Sequence, residues 1–339
     1  MTRPGMEHAA RRDDVSLVDL LPFETRGGPV HPEVARARRR RRRRRRLLAL
    51  VVVLALVGGG VWAWWKGAIG RIPVREHCTA TVDGGTTELR PEQAGNAAVI
   101  AATAVHRDLP GRAATIAIAT AIQESKLTNI GYGDRDSIGL FQQRPSQGWG
   151  SEKELRDPVY ATNAFYDVLE KIDGYETMPV TKAAQKVQRS AFPTAYADHE
   201  PEARLLASAL TGYSPGGLTC VLRGTDGLAP QNPGADGLTG RAQAVSKAAG
   251  RETGLKPAGD RADTAGRTVQ WSLDGSERGR RGWALAQWAV ARAEGLAIVS
   301  VRTDGRRWLR DRPDQGWTAD PAAVPAGRVV VTVAGGGDS

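Results

Sequence analysis

The chain has 339 residues, 41% of them hydrophobic and 25% charged, with a formal net charge of +10 and 2 cysteines. That is enough apolar material for real cores in two domains plus extensions. The charge does not mark a nucleic-acid surface: residues 1–46 hold 14 Lys/Arg against 6 Asp/Glu, so the rest of the chain carries only +2.

Residues 1–35, rich in Pro, Gly, Asp and Arg without apolar periodicity, read as disordered. Nine consecutive arginines follow, beginning at Arg38 and ending at Arg46, so 1–46 is a basic tail. Residues 47–65 then run 19 positions without a charge, enough to cross about 30 Å of hydrocarbon as a helix. Trp62, Trp64 and Trp65 close that run as an interfacial aromatic belt, and the segment 47–66 reads as a transmembrane signal anchor. A cleavable signal peptide has a similar layout, but no small-x-small site stands near the outer end. The arginines set the topology, with the N-terminus cytoplasmic and everything after Lys66 extracellular, and they can also touch anionic lipid.

The two cysteines, Cys78 and Cys220, bracket most of the next segment, and outside the membrane they are expected to pair. A loop of that length constrains the unfolded chain by about 4 to 5 kcal/mol in the entropy model. Neither belongs to a CxxC motif, which excludes zinc-finger or thioredoxin-like chemistry. Between them the pattern is helical. A helix over 91–108 ends at Pro110-Gly111. A second, over 113–122, is apolar on nearly every face, the signature of a helix buried in a core. It stops at Gln123, Glu124 and Ser125, which places the carboxylate of Glu124 at the edge of a low-dielectric interior, where desolvation raises its pKa toward that of a general acid. A polar loop over 129–137 leads to Gly139-Leu140-Phe141-Gln142 and then Gln143, amides suited to a cleft that binds amide-bearing sugars. Asp157 as N-cap and Pro158 at the first helical position open a helix to 172, and helices follow over 181–189 and 201–211. No alternating strand is evident here, save a short one around 137–142.

Glu124-Ser125 followed by Gly139-Leu140-Phe141-Gln142 resembles the Glu-Ser and Gly-Leu-Met/Phe-Gln motifs of soluble lytic transglycosylases and goose-type lysozymes, and Leu155, Asp157, Pro158 and Asn163 resemble the helix start that comes next in that superfamily. The resemblance spans roughly residues 78–220. Its third motif, Ala-Tyr-Asn, is echoed at Gly212-Tyr213-Ser214, a departure that touches the role of Tyr213. The resemblance implies a mainly α, lysozyme-like domain over 75–222 that cleaves the β-1,4 bond between N-acetylmuramic acid and N-acetylglucosamine. It makes Glu124 the catalytic acid and base, and Ser125, Gln142, Gln143 and Tyr213 substrate-binding residues. In a transglycosylase the muramic C6 hydroxyl attacks the anomeric carbon and gives a 1,6-anhydro product; in a hydrolase a second carboxylate activates water, and Asp134 and Asp136 are the nearby candidates.

A Gly/Pro/Asp-rich linker at 223–239 precedes a small α+β domain over 240–334. Its pattern is helix 242–251, strand 268–273, helix 280–294, strand 297–302, an Asp304-Gly305 hairpin turn into 307–309, and a last strand 329–333. The Gly282-Trp283-Ala284 region faintly resembles cell-wall D,D-carboxypeptidases, yet this part has no histidine or cysteine, so no zinc site of that kind can be built and neither metal nor cofactor is expected. Its tryptophans, Trp283, Trp288 and Trp308, read as core ahead of sugar platforms.

The expected whole is a mainly α lysozyme-like domain followed by a small α+β domain, held by a single N-terminal transmembrane helix. Its expected function is an extracellular peptidoglycan-cleaving enzyme at the cell membrane, transglycosylase ahead of hydrolase. Expected partners are peptidoglycan, the membrane and a protein at the C-terminal domain, with no specific nucleic acid. The competing class is a non-catalytic wall anchor or secretion-assembly scaffold.

Overall fold

The computed structural model describes residues 32–69, 75–189, 194–258 and 263–336. The chain divides into two units, Met1–Ile72 and Pro73–Ser339. The described part of the first is one helix, α1 (Pro32–Ile69), which over Arg40–Trp62 is long and apolar enough to cross a membrane. Leu47, Leu54, Leu56 and Val61 all present their side chains to the outside. The helix already begins at Pro32, so the arginine run, expected in a disordered tail, is helical. Residues 1–31 and the side chains of Trp64 and Trp65 lie outside what is described.

The second unit is a mixed α+β body. It opens with a hairpin, β1 (His77–Val82) and β2 (Gly85–Leu89), turned through Asp83 and Gly84, both at positive φ as a tight two-residue turn requires. Strand β3 (Leu218–Val221) returns to pair antiparallel with β1, giving the order β2-β1-β3. Cys78 and Cys220 are direct partners in that register and form the expected disulfide. The sheet corrects the all-helical expectation for this segment. Its strands are short and β1 is rich in threonine, so the inward set Cys78, Ala80 and Val82 leaves little apolar contrast, while the partner strand lies far along the chain. The strand expected around 137–142 reduces to one antiparallel bridge between Ile138 and Gln143.

Helices α2 (Pro91–His106) and α3 (Gly111–Ser125) fill the centre. Their alanine-rich faces allow close approach: Ala113, Ala114, Ala117 and Ala121 are inaccessible, as are Ala94, Ala97 and Ala101. Around α3 lie α2, α5 (Pro158–Leu169), α6 (Val180–Gln188) and α7 (Glu200–Leu210). The short α4 (Glu152–Leu155) leads into α5, whose first turn is capped by Asp157 accepting from the Val159 N–H at 3.0 Å. Tyr166 on α5, fully buried, donates to the Ile100 carbonyl at 3.0 Å and ties α5 to α2.

The remaining chain builds α8 (Gly240–Thr253), β4 (Thr268–Ser272), α9 (Arg278–Ala291), β5 (Ile298–Thr303), β6 (Arg306–Leu309), β7 (Trp317–Ala319) and β8 (Arg328–Val333). The strands form an antiparallel sheet in the order β4-β8-β5-β6-β7. The short edge strand β7 was not legible in the sequence. One face of α9 packs on β5 and β8 while another packs on α2, α7 and β3, so the two sequence-defined pieces share a core within one compact unit. Gln287 fixes this junction: its amide accepts from the Leu218 N–H at 2.8 Å and donates to the carbonyl of Ala209 at 2.6 Å. The tryptophans are interior. Trp288 and Trp308 are buried, and Trp283 donates to Asp304 while meeting Trp317 edge to face.

At Gly212, with φ +84°, an added Cβ would stand 2.0 Å from the Arg280 carbonyl. Gly212→Ala is therefore expected to lose about 2 kcal/mol or more of stability in urea unfolding, through backbone strain and a forced separation of α7 from α9. Replacing Cys78 and Cys220 together by alanine is expected to cost up to about 5 kcal/mol in the same measurement, since the bridge closes a loop of 142 residues. A loss below about 1 kcal/mol would mean that the unfolded chain is not restrained by it.

Candidate functional site

The site begins where α3 ends. Lys126 and Leu127 take left-handed conformations, φ +53° and +55°, and the Leu127 N–H reaches back to the Ala121 carbonyl at 3.0 Å. The helix thus stops within one residue of Ser125. Leu127 turns inward and is anchored by the side-chain amide of Asn96 donating to its carbonyl at 2.8 Å. Glu124, in the last turn, is left half-buried beside the exposed Gln123, at the end of a helix that is enclosed from Ala113 to Ile122.

Burial dominates the electrostatics of Glu124 and raises its carboxyl above the ordinary value, while hydrogen bonds from Tyr196 and Gln188 act the other way. The Tyr196 hydroxyl, on a ring that is itself buried, donates to Glu124 Oε1 at 2.8 Å. Next to it, Gln123 Oε1 and His199 Nε2 lie 2.8 Å apart, so two successive residues of α3 are tied to the segment preceding α7.

Ser125 does not bond the acid. Its buried hydroxyl donates to the Ala121 carbonyl and, at 2.8 Å, to the carbonyl of Leu140, fastening the loop at 139–142 to the end of α3. That loop is further held by Phe141 stacked on Phe165 at 4.7 Å and by the Gln188 amide donating to the Phe141 carbonyl at 2.6 Å. Gly139, φ +80°, is needed there because a Cβ would lie 2.5 Å from the Leu155 carbonyl. Gln142 takes φ +47° and its amide donates to the Gly139 carbonyl at 3.2 Å, with its other end against Gly133. Gln143 departs from the expectation of a substrate contact: it is buried and donates to the Ala161 carbonyl, because the bridge to Ile138 turns it toward α5.

The other expected residues are placed differently. Asp136 accepts from the Ser146 N–H at 2.8 Å and from Arg144 Nε at 2.7 Å, and these partners hold its carboxyl well below the ordinary carboxylate range. It braces the loop, and a carboxylate so occupied is a weak base. Asp134 is almost fully exposed. Tyr213 sits against Gly111 at the opposite end of α3, with the Arg280 guanidinium over its ring. Gly111 and Glu124 stand thirteen helical steps apart, about 20 Å at 1.5 Å per residue, so Tyr213 is not brought to the acid. Tyr196 occupies that place. Sequence reasoning missed both Tyr196 and Gln188; the available signal was a tyrosine just ahead of a helix, after a segment without apolar periodicity, and it does not say where the ring points.

No family model matches the chain, and no curated protein matches it. The chemistry rests on the geometry. A carboxyl kept protonated nearer neutrality by burial, with a phenol donating to one oxygen, can give a proton and then hold the resulting charge.

The raised carboxyl fixes a sign. The folded chain binds the Glu124 proton more tightly than the unfolded chain, so the burden of a buried charge is absent below the ordinary value of 4.5 and develops as pH rises through the raised one. Glu124→Gln is thus expected to be more stable than the parent at neutral pH, with the advantage fading on acidification, as read from urea midpoints across pH. A difference that does not vary with pH would rule out the raised carboxyl. Tyr196→Phe removes a bond that favours the ionised form and is expected to move the Glu124 titration further upward.

Proposed function

We propose that the chain is a membrane-anchored, extracellular lysozyme-like enzyme that cleaves the MurNAc-β-1,4-GlcNAc bond of peptidoglycan, and that it acts as a lytic transglycosylase. The observation that carries this reading is the contrast between its carboxylates: Glu124 is raised by burial and paired with Tyr196, whereas Asp136 is committed to Arg144 and Ser146. With Asp136 taken up by its own partners and Asp134 exposed to solvent, a single desolvated acid suits intramolecular attack better than activation of water. The phenol that meets the acid is Tyr196, and not the Tyr213 of the Gly212-Tyr213-Ser214 echo.

In this mechanism protonated Glu124 gives its proton to the bridging oxygen as the bond to the anomeric carbon breaks through an oxocarbenium-like state. The carboxylate left behind accepts the hydrogen bond from Tyr196 and then removes the proton of the muramic C6 hydroxyl. Its oxygen closes on the anomeric carbon, which yields the 1,6-anhydro product and regenerates the acid. Ser125 acts at one remove, positioning the loop at 139–142. The helix over Arg40–Trp62 serves as a single-pass anchor with the arginines on the cytoplasmic side.

The test is incubation of the oxidised unit Pro73–Ser339 with purified peptidoglycan and mass spectrometry of released muropeptides, beside Glu124→Gln. Products about 18 Da lighter than reducing-end muropeptides, absent in the variant, are expected. Reducing products would shift the reading to a muramidase and direct mutagenesis to Asp134 and Asp136. Tight pelleting on several wall types without release would leave a wall-binding anchor or assembly scaffold.

A further inference from the structure

A concavity of about 460 Å³ opens beside the second sheet, far in sequence from Glu124. Cross-strand neighbours Ser300 and Thr332 line it, with Arg267, Arg310, Asp226 and Asp311 around them. Arg310 is the unusual member. The residue is only 8% exposed, yet none of its hydrogen bonds goes to a carboxylate. Nε donates to the Arg223 carbonyl at 2.6 Å, and Nη1 to the carbonyls of Ala293 at 2.8 Å and Ile298 at 3.3 Å. Among the described residues its Nη2 has no hydrogen-bond partner and no ion pair forms. Three backbone carbonyls, with Glu76 and Glu294 acting at longer range, offset only part of the cost of removing a guanidinium from water, and burial pushes its pKa down. A buried cation with a donor to spare, at the wall of an open cavity, is a site for a carboxylate supplied from outside.

The rest of the lining decides what else that ligand carries. Asp226 and Asp311 are exposed at the same cavity and form no ion pair among the described residues. They repel a simple anion, and the two arginines repel a simple cation. We infer that this cavity binds a small zwitterion, such as an amino acid or short peptide with free ends, whose carboxylate meets Arg310 and whose ammonium is met by Asp226 and Asp311. The Ser300 hydroxyl supplies a neutral hydrogen bond between the charges, while that of Thr332 is shared with Thr268 at 3.2 Å. This inference is independent of Glu124 and of glycan cleavage.

Three probes of nearly equal size separate the charges: alanylalanine, its N-acetyl derivative and its amide. Titrated calorimetrically into the full chain in detergent micelles, the free dipeptide is expected to bind saturably, and each capped form to bind at least about tenfold more weakly. Arg310→Met is expected to abolish dipeptide binding. Asp226→Asn with Asp311→Asn, both at exposed positions and so tolerated by the fold, is expected to weaken the free dipeptide about tenfold and to strengthen the N-acetyl form. Glu124→Gln is expected to bind as the parent does. The inference is overturned if none of the three probes binds saturably, or if the N-acetyl form matches the free dipeptide and the paired asparagine substitutions leave both unchanged.

Discussion

A helix enclosed on every side can place a charge only at its ends, and that constraint on α3 shapes the molecule. From Ala113 to Ile122 each side chain is buried, so α2, α5, α6 and α7 must all close around it, and alanines at the contacts let them approach. The first polar residues to escape the core are Gln123 and Glu124. Their environment follows from the burial of the helix: Glu124 is half out of water because what precedes it is wholly out of water. Two left-handed residues then turn the chain away and return Leu127 to the core, which leaves no further turn of helix to carry the acid into solvent.

The second buried helix, α9, does for the whole unit what α3 does for the site. It lies between the sheet and the α2, α7 and β3 surface, and a buried stretch from Gly282 to Ala291 that is apolar except for one glutamine allows it to be covered on both sides. Gln287 satisfies backbone groups of β3 and of the end of α7 that would otherwise be buried without partners, and Gly212 leaves room for the approach. The consequence reaches the site, because α7 packs on α3 and the segment bearing Tyr196 leads directly into α7. The C-terminal part is therefore built into the support of Glu124 and is not an appended module.

Charges are handled in three distinct ways. Asp136 is exposed enough to be solvated and is stabilised further by Ser146 and Arg144, so it stays ionised. Glu124 is desolvated with donors that compensate only in part, so its proton is held more tightly. Arg310 is desolvated with carbonyls for hydrogen-bond partners and Glu76 and Glu294 acting only at longer range, which leaves an appetite for negative charge at the wall of a cavity. Environment sets the behaviour in each case, and two carboxylates twelve residues apart are driven in opposite directions.

The sequence by itself determined the elements whose signal is local. The apolar run before Glu124, the Asp157-Pro158 helix start, the Asp304-Gly305 turn and the uncharged stretch after the arginines each carry their physics within a few residues, and each stands where the pattern placed it. Pairing of the two cysteines was legible because there were only two. Tertiary structure alone decided what depends on partners distant in the chain. The β2-β1-β3 sheet needs a strand from beyond residue 217, and its threonine-rich strands show weak alternation. Gln143 turns inward while Gln142 lies against Gly133, although the two amides are adjacent. Tyr196 and Tyr213 look alike as letters, yet one reaches Glu124 and the other stands at the far end of α3, because packing of α7 along that helix, and no feature of either tyrosine, sets which end each one meets.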